Sequence, residues 1–323
     1  MSDPRTTAVP GWKQGQGWGW VWGDDDERGA LNAMTPESIL EALATVREGR
    51  VFDLGVKMDR TSFRWSGHVG TEVITFRSPE GLLREQTTDP MYAGIGSADG
   101  VGFHTSMVTI SDHAGTQIDA LCHATFGGDR HWYNGFAEDE HGSDFGPRRA
   151  GAEKIPPIVL SGVLIDVPAH LGVDELEPGF VIGPKLLEET LAAQGTDFAP
   201  GEAVLIRTGS MRHWGDLGVD HDKIGPPGTA GIDLAGAKWL TETKGAIFIA
   251  SDTSTIEVVP PVDRDNVSPV HKYLLVDQGV HMGELFYLED LAAAKAYRFC
   301  FIALAPKVAG TTAGFAMRPI AIV

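Results

Sequence analysis

The chain has few cysteines and no long apolar run. Two cysteines, Cys122 and Cys300, among 323 residues are too few for a disulfide framework, and a reducing compartment is then expected. No stretch approaches 18 consecutive apolar residues, so the sequence predicts no membrane span. The N-terminus, "MSDPRTTAVPGW", lacks the basic start and apolar core of a signal peptide. Together these absences predict a cytoplasmic protein.

Positive charge is also scarce. Lys and Arg number 26 against 44 Asp and Glu, which gives a formal net charge of −18. Such a surface repels nucleic acid and anionic lipid, so neither is expected as a partner. No glycine-rich phosphate loop follows a predicted strand, so nucleotide binding has little support. A small molecule is the expected partner.

What is present predicts a folded α/β protein. A hydrophobic content of 42% over 323 residues is ample for a buried core. No repeat or linker divides the chain, so residues 1–323 are predicted to form a single domain of mixed strands with helices packed on them. Residues 1–30 are rich in Trp and Gly and predict an extended arm whose rings pack on the body or on a second subunit.

Several segments predict regular elements. "TPESILEALATVREGR" predicts a helix that Thr35 caps, with Pro36 in its first turn and Ile39, Leu40 and Leu43 at helical spacing. "IGPKLLEETLAAQG" predicts a second helix that ends at Gly195. Further helices are predicted at "DLAGAKWLTETKG", "VHKYLLVDQG" and "LEDLAAAKA", and strands at "VFDLGVKM", "PPIVLSGVLIDVP", "GEAVLIRTG", "AIFIASDT" and "RFCFIALAPKV".

The stretch "HAGTQIDALCH", residues 113–123, carries the candidate chemistry. On a straight strand His113 and Gln117 would be about 13 Å apart, too far to share an ion. Gly115 permits a bulge or sharp turn, so a bent strand or loop fits best. An imidazole, an amide oxygen and the carboxylate of Asp119 suit a divalent ion such as zinc or manganese, and His123 is close enough in sequence to move protons. Spacing alone leaves open the alternative that these are hydrogen-bonded polar residues on a loop.

This stretch resembles the signature His-x-Gly-Thr-His-x-Asp-x-Pro-x-His of the metal-dependent cyclase/amidohydrolase family, which includes bacterial kynurenine formamidases and isatin hydrolases. The chain departs from the pattern at Gln117, where the family usually has a ligating His, and at Leu121, where it usually has Pro. The matching residues are His113, Gly115, Thr116, Asp119 and His123. Segments that look like the family's, in the family's order, are "WGDDDERGALNAMTPE", "YNG", "IRTG", "ASDTSTIEV" and "HKYLLVDQGVHMGELFYLEDL".

The resemblance implies a fold, a site and an assembly. The fold would be a swivelling β/β/α domain with a mixed β-sheet, usually in a homodimer or homotetramer. A divalent metal ion, Mn²⁺ or Zn²⁺, is the implied cofactor, and His123 matches the histidine of proton transfer. The implied ligand positions are His113, Gln117, Asp119, His271 and Glu284. Gln117 offers only a neutral amide oxygen, which favours one metal over two. In the alternative, Gln117 orients water or substrate.

The implied activity is that of a hydrolase. A metal-activated water would cleave an amide, lactam, formamide or lactone bond of a small substrate that can carry an aromatic ring. Two alternatives remain. The same site could drive a cyclase or dehydratase reaction, or the chain could be a member of the family that binds a ligand without turnover.

Other residues carry two interpretations each. Cys122 is a packing residue or a nucleophile, and His281 has a structural role or supports the ligands. Asp252 lies near the site or caps a turn. Trp132 and Tyr133 wall the pocket or fill the core. Loop histidines that could border a pocket are His68, His104, His131 and His213.

Overall fold

A computed structural model describes residues 22–85, 102–215, 218–225 and 227–323. Most of the predicted Trp/Gly-rich arm, residues 1–21, lies outside the described residues, so the arm stays a prediction, as does the division into one domain. In the described ranges, no helix is both long enough and apolar enough to cross a bilayer.

The described residues form 15 strands and nine helices. Strands β1 to β15 are, in chain order, Val51–Asp53, Glu72–Arg77, Thr105–Thr109, Gln117–Asp119, Ile158–Asp166, Val181–Ile182, Ala203–Arg207, Trp214–Gly215, Gly218–Val219, Gly231–Ile232, Phe248–Ser251, His281–Glu284, Arg298–Ala303, Ala313–Gly314 and Ile320–Ile322. Helices α1 to α9 are Pro36–Leu43, Pro79–Glu85, Glu138–His141, Val167–Leu171, Pro184–Gln194, His221–Ile224, Leu234–Lys238, Pro269–His271 and Glu289–Ala293. Short 3₁₀ turns are Gly29–Ala33, Tyr133–Gly135, Ala152–Lys154 and Ser210–His213, and π-helical turns are Trp239–Thr243 and Lys272–Gln278.

A 9-stranded mixed sheet forms the centre, in the order β1-β15-β13-β5-β7-β11-β12-β4-β14. Strands β5, β7, β11 and β12 are parallel neighbours, and the outer pairs are antiparallel. The sequence predicts β5 and β7 as buried strands and β11 as a strand, and every residue of β7 and β11 is buried. Such continuous apolar runs are typical of parallel strands covered on both faces. The predicted α/β class with a mixed sheet is confirmed.

The first helix is shorter than its apolar pattern predicts. Thr35 caps it through Ser38 as expected, but the helix ends at Leu43. Beyond its end, the backbone amides of Glu48 and Gly49 both donate to the carbonyl of Val323. Turn bonds from Thr45 to Ala42 and from Val46 to Leu43 replace helical bonds, and the bonds to Val323 then tie the chain beside β1. Leu40, inside the helix, is exposed, although the pattern predicts a buried stripe.

The helix that carries His271 continues into a turn that ends at a glycine. Helix α8 passes directly into the π-helical turn Lys272–Gln278, which closes at Gly279 in the left-handed region, φ +64°. A Cβ on Gly279 would lie 2.3 Å from the ring of Tyr133, so glycine is required there by conformation and by space. This closure returns the chain into β12, the strand that ends at Glu284.

Candidate metal centre

The bend predicted within residues 113–119 is confirmed. Gly115 has φ +65°, and a Cβ there would lie 2.2 Å from the sulfur of Met58. The turn at Gly115 folds His113 back over β4, so its Nδ1 lies 3.0 Å from Gln117 Nε2 and 3.4 Å from Asp119 Oδ1. A straight strand would hold these groups far apart.

Strand β12 and helix α8 bring the distant residues to the same place. Glu284 pairs with Gln117 in the antiparallel register of β12 and β4, so their side chains share one face. Gln117 Nε2 donates to Glu284 Oε2 at 2.9 Å. From α8, His271 Nε2 lies 3.4 Å from Glu284 Oε1 and 3.9 Å from Asp119 Oδ2. All six residues proposed from the sequence therefore meet at one point of the fold.

Two groups of possible ligand atoms share Asp119. One consists of His113, Asp119 and His123, and the other of Asp119, His271 and Glu284. Within each group the ligand atoms lie within 4.8 Å of one another. A carboxylate with two oxygens can serve both groups at once.

The polar atoms of this cluster fit a cation. Asp119 is fully buried, yet its Oδ2 has no hydrogen-bond partner. A buried carboxylate oxygen without a partner is costly unless a positive charge compensates it. Burial acts to raise the pKa of Asp119, but His123 and His113 outweigh burial and hold that pKa below its ordinary value. Burial raises the pKa of Glu284 to about 7. Nitrogen and oxygen donors around buried carboxylates are suited to a divalent metal ion.

Gln117 lies at the centre of the cluster through its amide nitrogen. Nε2 contacts His113, Glu284 and, at 3.5 Å, Asp119 Oδ1, which are the groups that a cation would bind. Its Oε1 is buried without a hydrogen-bond partner. Turning the amide over would direct Oε1, a weak metal donor, into the cluster. The two interpretations of Gln117, as a ligand or as a residue that orients water or substrate, both stay open.

Glu257 supports His271 and was missed at the sequence level. Its carboxylate is buried and accepts hydrogen bonds from His271 Nδ1 and from the backbone amide of Val270 at 3.0 Å. The contact leaves Nε2 of His271 directed at Asp119 and Glu284. A carboxylate that fixes the far nitrogen of a histidine is typical of metal sites. The available signal was a lone Glu between apolar neighbours in "TIEVV".

His113 is held in a corresponding way by Thr312 and Asp112. The Thr312 hydroxyl donates to Asp112 Oδ2 at 3.0 Å, and His113 Nε2 lies 2.9 Å from the same hydroxyl. A hydroxyl has one hydrogen, so it accepts from Nε2–H, and Nδ1 of His113 is left bare. That bare nitrogen faces Asp119. Sequence patterns could not reveal this contact, which joins residues 199 positions apart.

We predict that Thr312→Val lowers metal affinity about 10–100-fold, because valine matches threonine in shape but cannot hold Nε2. Thr312→Ser is the matched control, and we expect near-native affinity because the hydroxyl returns. A chelator-competition titration would give both affinities, with melting of the metal-free proteins as a check on folding. Equal affinities for the Val and Ser variants would contradict the role of the hydroxyl.

The remaining candidates have structural roles. His281 Nδ1 bonds to the carbonyl of Asp119 at 2.9 Å, and burial lowers the pKa of His281 to about 4. Asp252 accepts from the amides of Thr208 and Gly209, both at 2.8 Å, so it caps the turn after β7. Burial raises the pKa of the Cys122 thiol to about 12, which agrees with packing and not with a nucleophile.

The aromatic and loop candidates lie in the core, in ion pairs or at the surface. Trp132 and Tyr133 lie in the hydrophobic core, in agreement with the packing interpretation. His131 pairs with Asp129, and His213 with Glu175. His104 is exposed.

A cavity of about 400 Å³ opens over the cluster and is called the site cavity here. Its lining residues include Trp65, His68, His113, His123, His271 and Glu284. His68 is the loop histidine that borders it, and Trp65 supplies an aromatic wall that sequence reasoning did not find. The cluster is therefore accessible to a small molecule.

A comparison with protein families matches residues 52–258 to the model of the Cyclase family, which is more than half of the chain. A search of curated proteins found no match.

Solved structures share the fold. The crystal structure of a novel cyclase is 28% identical, with a TM-score of 0.81 over 95% of this chain and 97% of that chain. Isatin hydrolase A from Labrenzia aggregata, bound to benzyl benzoate, is 16% identical, with a TM-score of 0.59 over 88% of this chain and 98% of that one. A potential metal-dependent hydrolase with cyclase activity is 17% identical, with a TM-score of 0.50 over 84% and 98%. The predicted fold is confirmed by these likenesses.

Proposed function

The chain belongs to the cyclase family, and from this premise we propose that it is a metal-dependent hydrolase of amide, lactam, formamide or lactone bonds in a small substrate. The proposal rests on the environment of Asp119. Its buried carboxylate is shared by two groups of ligand atoms, and one of its oxygens lacks a hydrogen-bond partner. A divalent cation gives that oxygen a partner, and the adjoining cavity gives a substrate access.

His113, Asp119, His271 and Glu284 would hold the cation, with the amide oxygen of Gln117 as a weaker candidate. The mixed nitrogen and oxygen set suits Mn²⁺ or Zn²⁺, and the neutral Gln117 favours one ion. When bound, such an ion supplies Lewis acidity, which polarises a carbonyl and makes water a stronger nucleophile at neutral pH.

His123 is the residue proposed to move protons. Its ring centre lies 4.0 Å from that of His113 and 6.2 Å from that of His271, and the ring lines the site cavity. In this position it can take a proton from the attacking water and return it to the departing nitrogen or oxygen. Water adds to the carbonyl carbon, the bond to nitrogen or oxygen breaks, and the products are an acid and an amine or alcohol.

The test uses protein that is stripped with a chelator and reloaded with Mn²⁺ or Zn²⁺. A panel of amides, lactams, formamides and lactones is incubated with it in ¹⁸O-labelled water, and products are analysed by mass spectrometry. We expect turnover only after reloading, with one solvent oxygen in the acid product. Elemental analysis should give about one equivalent of metal per chain, and a rise toward two in Gln117→His would identify Gln117 as the limiting residue.

Other results of this test would each support a different conclusion. Equal turnover in stripped and reloaded protein would contradict a metal-dependent reaction. Turnover without label in the product would favour the cyclase or dehydratase alternative, and bound metal without turnover on any panel member would favour the non-catalytic alternative.

A further inference from the structure

A second cavity, of about 450 Å³, adjoins the site cavity and is called the side cavity here. It lies between helix α7, the segment that follows His123, and residues 266–277. Ala124, Ser268 and His271 line both cavities. A ligand whose reacting end lies at the metal centre can therefore extend into the side cavity.

Among the described residues that line the side cavity, Lys238 is a positive charge without an acidic partner. Lys272 Nζ pairs with Asp277 Oδ2 at 2.5 Å, so these two lining residues compensate each other. For Lys238, in contrast, no carboxylate of the described residues is within ion-pairing distance of Nζ. Its Nζ instead lies 5.7 Å from the centre of the Tyr273 ring. In a chain with a net charge of −18, an uncompensated cation in a cavity is a candidate binding group.

Hydrogen bonds hold the aromatic ring that lies beside Lys238. The Tyr273 hydroxyl donates to Glu242 at 2.7 Å and bonds to Thr241 at 2.9 Å, so the ring under the lysine cannot turn away. On the other side Lys272 Nζ lies 4.6 Å from the centre of the Phe126 ring. Two aromatic walls and a cation beside one of them suit an apolar body that ends in a negative charge.

We propose that the side cavity binds the carboxylate end of the substrate, so that the substrate is a small acid with a second, hydrolysable carbonyl. This inference rests on the proposed function, because it places the hydrolysable carbonyl at the metal centre. A carboxylate is the class that fits, since its single negative charge matches the single unpaired lysine. A phosphate monoester carries nearly two charges and would leave one of them uncompensated.

The test compares a charged probe, 3-phenylpropanoate, with a neutral one of the same carbon skeleton, 3-phenylpropan-1-ol, which has no bond of the classes proposed to be hydrolysed. Calorimetric titration of the metal-loaded protein should show that the acid binds about tenfold more tightly. This factor is at the lower end of the range for a hydrogen bond to a charged group, because Lys238 is only partly buried. Lys238→Gln should remove that preference and leave alcohol binding unchanged, whereas Lys238→Arg should keep it. Lys185→Gln is the matched control, because Lys185 is exposed and pairs with Glu189.

The readout is binding, so it does not depend on turnover. Preference for the acid that survives Lys238→Gln but disappears after metal removal would place the carboxylate on the metal and overturn the proposal. Equal binding of acid and alcohol to the native protein would overturn it as well. If no hydrolysis is found while the Lys238-dependent preference holds, the proposed function fails and the anion site stands. Melting curves of the three variants check that each is folded.

Discussion

Asp119→Asn is expected to remove metal binding and to lower turnover about 10²–10⁴-fold. Asp119 is the one residue that both groups of ligand atoms share, so its replacement weakens every arrangement of the cation at once. Asparagine has the same shape but offers a single neutral oxygen as a ligand. Loss of the cation removes several kcal/mol of charge stabilisation in the transition state, and each ~1.4 kcal/mol is about tenfold in rate.

The measurements are elemental analysis of the purified variant and its rate on whichever panel member the native protein hydrolyses. The metal-free variant should be less stable than the metal-free native protein, because neighbouring histidines stabilise the buried Asp119 charge, so melting of both metal-free proteins checks that the variant is folded. Asp222→Asn, at an exposed position, is the control. Native metal content in Asp119→Asn would contradict the shared-ligand assignment.

The sequence predicted the part of the site that depends on near neighbours. His113, Gln117 and Asp119 lie within seven positions, and Gly115 between them permits the bend that joins them. Periodicity predicted the buried strands that frame the site, because continuous apolar runs are visible without knowledge of their partners.

Residues far apart in the chain were predicted only through resemblance or not at all. His271 and Glu284 were assigned from the family's segment order, and their meeting with Asp119 depends on the pairing of β12 with β4. Glu257 and Thr312 were missed, because their roles follow from hydrogen bonds to His271 and His113 that no local pattern encodes. The end of the first helix at Leu43 was missed as well, and the bonds that tie Glu48 and Gly49 to Val323 after it are not encoded in the local pattern.

The second large effect is expected for His123→Ala, in which kcat should fall about 10²–10⁴-fold while metal remains bound. His123 shares a ligand group with His113 and Asp119, so a role in metal binding is the competing interpretation. The group formed by Asp119, His271 and Glu284 is complete without His123, and we therefore expect the variant to keep its cation.

The rate and the metal content of His123→Ala separate these two roles. Burial lowers the pKa of His123 to about 4 in the metal-free chain, so the ring is neutral there and has a free nitrogen to accept a proton. A small base that enters the site cavity should restore part of the rate in His123→Ala but not in His271→Ala, where a proposed ligand is missing. Metal loss as complete as in Asp119→Asn would assign His123 to the metal instead, and an unchanged kcat would mean that another group carries the proton.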